Sequence, residues 1–357
     1  MKPSSVLYPL FLSVALLAPL ATRAADVAAT DPQVRYTGRF DRADAAGPRC
    51  AWSASSVALT VSGGSVSVKL NESGKNFWQV IVDGAPTSVL ELQKGEHVYP
   101  VVADLPAGRH TVELVKRTEA SVGVTQVLGF QIDDSAKLLP TPTRSRRIEV
   151  IGDSISCGYG NEAAAKEIHF SPSTENAWMT YGALAAREVG ADYVCVAWSG
   201  KKLWPNNSIL DYYDRVLPAP TEKKWDFTAW TPDVVVINLG TNDFNAKENP
   251  EEAGWVAAYV GFIRQIRARY PRAPIYCVLG PMISDWPAAR KPRTTILGYF
   301  PKVIEQANAA GGAPVRFLDF GVQKPENGYG ADWHPNLKTH ALMGAQLTAT
   351  LKKDLGW

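Results

Sequence analysis

The stretch Ile148-Glu149-Val150-Ile151-Gly152-Asp153-Ser154-Ile155-Ser156 decides the fold of this chain. Its first four residues read as a short buried strand, and Gly152 permits a sharp turn at the strand's end. Downstream the same kind of run recurs at Tyr193–Ala197, Val234–Leu239, Ile275–Leu279 and Val315–Leu318. Helical patterns fall between or after these runs, at 177–188, near 209–216, and at 251–269, 299–310 and 337–353. Continuous apolar strands separated by amphipathic helices predict a parallel sheet covered on both faces, an α/β three-layer domain over residues 148–357. In such sheets chemistry belongs in the loops beyond the carboxyl ends of the strands.

Upstream the periodicity is different. Ala58–Val61, Val66–Leu70, Phe77–Val82, Val98–Val102, His110–Lys116 and Val124–Ile132 are short β-type runs punctuated by Gly63-Gly64 and Asp83-Gly84. Their spacing of about ten residues, without a helical pattern between them, predicts an antiparallel β-sandwich over residues 25–135. Residues 136–147, with Pro140, Pro142 and the basic exit Arg144-Ser145-Arg146-Arg147, read as a linker or crossing strap.

Residues 1–24 carry an address. Lys2 precedes an apolar run from Val6 to Leu20, and Thr22-Arg23-Ala24 supplies small residues at a cleavage site. That is the pattern of a signal peptide, and it predicts a secreted or periplasmic protein. Removing this leader leaves the basic and acidic residues balanced at 35 each. With no block of like charge and no later apolar run long enough to span a bilayer, neither nucleic acid nor membrane is expected as a partner. The four cysteines, Cys50, Cys157, Cys195 and Cys277, show no metal-binding spacing. Their pairing stays open, and small buried hydrophobes are the preferred reading.

The candidate chemistry sits at the predicted strand ends. Ser154 follows the first strand and can serve as a nucleophile if a base takes its proton. Gly200 follows the second strand and Asn242 the third. Together with the Ser154 N–H, the Gly200 N–H and the Asn242 side-chain amide form a three-donor oxyanion hole. Of five histidines, His334 alone stands in a loop between the last strand and the last helix, within Asp332-Trp333-His334-Pro335-Asn336. It is the candidate base. His169 lies in a long loop after the first strand with no motif behind it. Asp153 and Asp243 read as loop ties. Trp333 and then Trp204 are candidate sugar-stacking aromatics. The histidines form no metal-binding cluster, so neither metal nor organic cofactor is expected.

Ser154, Gly200, Asn242 and His334 resemble, in order and in placement, the four blocks of the SGNH (GDSL-like) hydrolase superfamily. Joined to a preceding jelly-roll-like sandwich with Gly38-Arg39-Phe40 at its start, the chain resembles carbohydrate esterase family 2. The resemblance implies a flavodoxin-like hydrolase domain. It also implies a serine esterase of the acetylxylan esterase type, which removes O-acetyl groups from plant cell-wall polysaccharides such as xylan and mannan through an acetyl-enzyme. Acetylated polysaccharide or oligosaccharide is then the partner. Many superfamily members place an acid three residues before the histidine, where this chain has Ala331. Asp332, two residues before His334, is the expected orienting acid, and a Ser154–His334 dyad oriented by a backbone carbonyl is the alternative. Two other functions use the same sequence: a thioesterase or lysophospholipase acting on longer acyl chains, and a non-catalytic carbohydrate-binding protein.

Overall fold

A computed structural model describes residues 24–218 and 223–357, so most of the predicted leader lies outside the described residues. The first half contains β1 (Ala24–Ala28), β2 (Arg35–Thr37), β3 (Arg49–Cys50), β4 (Ser56–Val61), β5 (Gly64–Glu72) and β6 (Phe77–Val82). It continues with β7 (Ala85–Glu91), β8 (Gly95–Leu105), β9 (His110–Lys116), β10 (Thr125–Asp133) and β11 (Leu138–Leu139). These form two antiparallel sheets. One has the order β1-β10-β5-β8, with β3 also on β10; the other has the order β11-β4-β9-β6-β7, with β2 also on β4. Val57, Leu59 and Val61 share one core with Val66, Val68 and Leu70, and Trp78 and Phe130 are buried in the same cluster. Alternate residues of β4 and β5 supply much of that interior.

The second half contains β12 (Arg146–Gly152), α1 (Ser154–Cys157), α2 (Tyr181–Glu188), β13 (Ala191–Ala197), β14 (Val234–Asn238) and α3 (Thr241–Phe244). It ends with α4 (Glu252–Arg269), β15 (Ile275–Leu279), α5 (Pro292–Ala309), β16 (Val315–Asp319) and α6 (Leu337–Leu355). The five strands are parallel in the order β13-β12-β14-β15-β16. This is the doubly wound, flavodoxin-like arrangement, and strand order reverses between β12 and β14. Val235 and Ile237 face Trp255, Tyr259 and Phe300 of α4 and α5. Their neighbours Val234 and Val236 face Tyr181, Met343 and Leu347 of α2 and α6. Both faces are covered, which is why these strands read as unbroken apolar runs.

Three of the differences from the sequence reading bear on how the two halves are laid out. The helix expected near 209–216 is a single 3₁₀ turn, Ile209–Asp211, capped by the Ser208 hydroxyl. Helix α5 starts at Pro292, a turn and more before the expected Tyr299, because proline suits a first helical position. The strap contributes β11, which pairs with β4 before the chain enters β12.

The sandwich and the hydrolase half are joined through buried polar contacts. Arg39 is fully buried, and its guanidinium donates to Glu149 Oε1 at 3.0 Å and to the Tyr213 carbonyl. Tyr213 Oη donates to Glu149 Oε2 at 3.0 Å, and Trp52 Nε1 donates to the Val216 carbonyl at 2.9 Å. Ala54, Ile81 and Val115 of the sandwich pack against Cys157, Ala177, Cys195 and Ala197. All four cysteines are buried, unpaired thiols.

Candidate active site

Strand β12 delivers Ser154 to the carboxyl edge of the sheet at the reversal of strand order. Gly152 is required there: a Cβ on it would lie 2.2 Å from Ser156 Oγ. Asp153 caps the short helix α1 by accepting the Ile155 N–H at 3.0 Å. Burial, with the charge of Asp243 nearby, pushes the Asp153 carboxyl up to about 7.

Ser154 Oγ and His334 Nε2 lie 2.9 Å apart, although 180 residues separate them. His334 Nδ1 is 3.0 Å from the Ala331 carbonyl oxygen. A carbonyl can only accept, so Nδ1 carries the proton and Nε2 is free to take one from Ser154. Burial lowers the His334 pKa below its ordinary value, which keeps the ring neutral. Tyr159 stacks on the imidazole with centroids 4.1 Å apart. Gly160 lets the 158–161 turn approach the histidine loop, since a Cβ there would lie 2.2 Å from Ala331 Cβ.

Asp332 does not take the orienting position expected of it. Asp332 and Trp333 both have left-handed backbone (φ 48° and 65°), a sparsely populated conformation for residues with side chains. That turn brings the Ala331 carbonyl to Nδ1 and sends the Asp332 carboxylate outward. The carboxylate meets His169 Nδ1 at 2.7 Å, Tyr159 Oη at 2.9 Å and the Phe170 N–H at 3.1 Å. These partners, His169 foremost, hold its pKa below the usual carboxylate range. His169, for which the sequence offered no motif, thus belongs to the rim of the site through Asp332.

The proposed oxyanion donors converge through their loops. Gly200 sits at φ 76°, and none of the described residues comes within 4 Å of where a Cβ would stand. Asn242, in α3, donates from Nδ2 to the Lys201 carbonyl at 2.9 Å, and the same nitrogen lies 3.4 Å from Asp153 Oδ2. The loops after β12, β13 and β14 therefore meet at one amide. Asp243 ties the next residues down, accepting the Leu203 and Trp204 N–H groups at 3.0 Å each and Trp255 Nε1 at 3.1 Å.

The two aromatic candidates differ. Trp333 is 53% exposed beside His334, with Lys166 Nζ 3.7 Å from its ring centroid. Trp204 is half-buried against Gly254 of α4 and is held by Asp243. Sequence reasoning missed Trp286, which is 80% exposed in the loop after β15, at the same sheet edge. It also missed Tyr159, signalled by the flanking Gly158 and Gly160, and the Ala331 carbonyl, which no residue type signals.

A neutral imidazole paired with a serine hydroxyl, bordered by backbone and amide donors, can transfer an acyl group through a tetrahedral intermediate. Comparison with known proteins agrees with that chemistry. The carbohydrate esterase 2 N-terminal family matches residues 36–142, and the GDSL-like lipase/acylhydrolase family matches residues 150–342. The cellulase/esterase CelE of Acetivibrio thermocellus is 42% identical over 92% of this chain, which spans 40% of that protein's length. An acetylxylan esterase / glucomannan deacetylase of Cellvibrio japonicus is 32% identical over 85% of both chains. The solved family two carbohydrate esterase from Clostridium thermocellum, in complex with cellohexaose, superposes with a TM-score of 0.86 at 41% identity, covering 91% of this chain and 99% of that one. These matches show that the chain belongs to carbohydrate esterase family 2, its second half being the GDSL-like acylhydrolase domain of that family.

Proposed function

We propose that this protein is a serine esterase that removes O-acetyl groups from plant cell-wall polysaccharide, xylan or glucomannan, outside the cytoplasm. The contact between Ser154 Oγ and His334 Nε2 carries the reading. His334 takes the Ser154 proton as the hydroxyl attacks the acetyl carbonyl. The oxyanion forms against the N–H groups of Ser154 and Gly200 and the Asn242 amide. His334 then returns the proton to the departing sugar oxygen, leaving an acetyl-serine. A water activated by the same imidazole releases acetate and restores the hydroxyl. The Ala331 carbonyl keeps the ring in the tautomer that both half-reactions need.

The sugar is expected to lie on exposed aromatic faces, Trp333 beside the histidine and Trp286 farther along the sheet edge. Supporting the substrate class are the relatives named for xylan and glucomannan deacetylation and the neighbour solved with cellohexaose. Supporting export is the leader pattern of residues 1–24. The test is time-resolved NMR of acetylated xylan and glucomannan oligosaccharides with the purified enzyme and with Ser154→Ala. Acetate release by the first and none by the second is expected, along with activity on nitrophenyl esters that falls steeply beyond two or three acyl carbons. Turnover by Ser154→Ala, or a preference for long acyl chains, overturns the proposal.

A further inference from the structure

Glu119 belongs to the sandwich, on the loop following β9, yet its side chain ends in the other domain beside the β13 loop. It is buried, and Oε2 accepts the Ser199 N–H at 2.7 Å. The other oxygen accepts the Ser121 hydroxyl. Its main chain is clamped as well: the Glu119 N–H donates to Glu175 Oε2 at 2.8 Å, and Lys116 Nζ donates to the Glu119 carbonyl at 3.1 Å. A carboxylate held on every side therefore grips the Trp198–Ser199 peptide unit, the one next to the unit that carries the Gly200 N–H.

That grip matters because of what Gly200 lacks. With no side chain, and with open space among the described residues where a Cβ would stand, Gly200 is not positioned by its own packing. Its orientation comes from bonds on the flanking residues. Trp198 N–H donates to the Gly152 carbonyl at 3.3 Å, Lys201 N–H closes the turn onto the Trp198 carbonyl at 3.2 Å, and Asn207 Nδ2 donates to the Gly200 carbonyl at 3.0 Å. The Glu119–Ser199 bond is the shortest of this set and the only one that originates outside the hydrolase domain. Oxyanion donors act by being preorganised, so a misplacement of the order of an ångström is costly.

We propose that Glu119 is a positioning residue: the sandwich sets the Gly200 N–H for the hydrolase domain and thereby takes part in the rate of deacylation and acylation. This rests on the reading of Ser154 and Gly200 given above. The ordering of variants tests it. Glu119→Gln keeps a carbonyl oxygen at the same reach, and Ser121 can turn its hydroxyl to suit. Glu119→Asp keeps the charge but draws the oxygens back by one methylene.

With p-nitrophenyl acetate, Glu119→Asp and Glu119→Ala are expected to lose about 10–100-fold in kcat with KM nearly unchanged, and Glu119→Gln to stay within about threefold of the native enzyme. Affinity for a boronic acid that forms a tetrahedral adduct on Ser154 should fall by the same factor, while the binding of cellohexaose should not change. A merely structural role would instead lower the melting temperature without this split. If the alanine variant does not fold, the Asp and Gln variants decide. A folded Glu119→Asp enzyme with native kcat and native boronate affinity overturns the proposal. Turnover by Ser154→Ala would overturn the underlying reading whatever Glu119 does.

Discussion

Asp332 turns its carboxylate away from His334 and onto His169 Nδ1, 2.7 Å distant, while the Ala331 carbonyl occupies the place at His334 Nδ1. The consequence is quantitative. Where a carboxylate fixes the tautomer of a catalytic histidine, replacing it by the amide costs about 10⁴ in kcat. Here Asp332→Asn leaves the Ala331 contact intact and suits the left-handed backbone at 332. Its kcat on p-nitrophenyl acetate should fall by no more than about tenfold, against at least ~10³-fold for His334→Ala. A 10⁴-fold loss in the asparagine variant would restore Asp332 to the orienting role.

The pH profile follows from burial. His334 must be neutral to accept a proton, and desolvation disfavours its charged form, so its pKa lies below the ordinary 6.5. Activity should therefore persist on acidification and fail with a midpoint below 6.5 in kcat/KM. The nearby charge of Asp332 opposes the downward shift, so Asp332→Asn should move that midpoint still lower. A midpoint at or above 6.5 contradicts the assignment.

Asn242 anchors three loops and, in the proposed mechanism, also supplies an amide donor to the oxyanion. Asn242→Ala is expected to lose about 10²–10³ in kcat with KM little changed. Steady-state kinetics on a soluble acetyl ester check this, and a loss seen only in KM would remove Asn242 from the transition state.

Trp286 and Trp333 are exposed aromatics held on ordered loops. Around Trp286, Asp285 accepts the Thr294 N–H at 2.8 Å and its hydroxyl at 2.6 Å. Replacing either tryptophan by alanine should weaken activity on polymeric acetylated glucomannan by about tenfold, the worth of one stacking contact. Hydrolysis of p-nitrophenyl acetate should be unaffected by Trp286→Ala. Equal losses on both substrates would place Trp286 outside sugar binding.

The buried pair Arg39–Glu149 joins the two halves. Removing one partner leaves an uncompensated charge, so Arg39→Met should cost about 3–5 kcal/mol of stability. The double variant Arg39→Met/Glu149→Leu should recover much of that loss. Chemical denaturation measures both, and a single variant as stable as the native protein would count against the pair.

Much of this molecule is legible in the amino-acid order. The strand ends after Ile151, Ala197 and Asn238 are visible because buried parallel strands must be apolar on both faces, and Gly152, Gly200 and Gly240 break them. Placement at successive strand ends, together with the resemblance to the SGNH superfamily, was enough to predict that Ser154 and His334 meet. Asp332 misled because side-chain direction depends on backbone dihedrals, and two consecutive left-handed residues, neither of them glycine, leave no mark in composition. The Ala331 carbonyl is silent for a similar reason, since every residue has one. The bonds of Glu119 and Arg39 across the seam were invisible because their partners lie in another domain, where sequence separation hides proximity. The helix expected near 209–216 failed because a run of apolar residues can line a loop that packs on α4 as readily as a helix.

The seam that Arg39 and Glu119 cross has an evolutionary consequence. Recombination that transplanted the sandwich to another enzyme would carry an unneutralised guanidinium and a stranded carboxylate into a host with no answering groups. The hydrolase half left behind would keep Glu149 without its cation. Such breakpoints should be selected against, so the two halves are expected to travel through genomes as one inherited unit, with additional modules joined at the ends of the pair and not between its members.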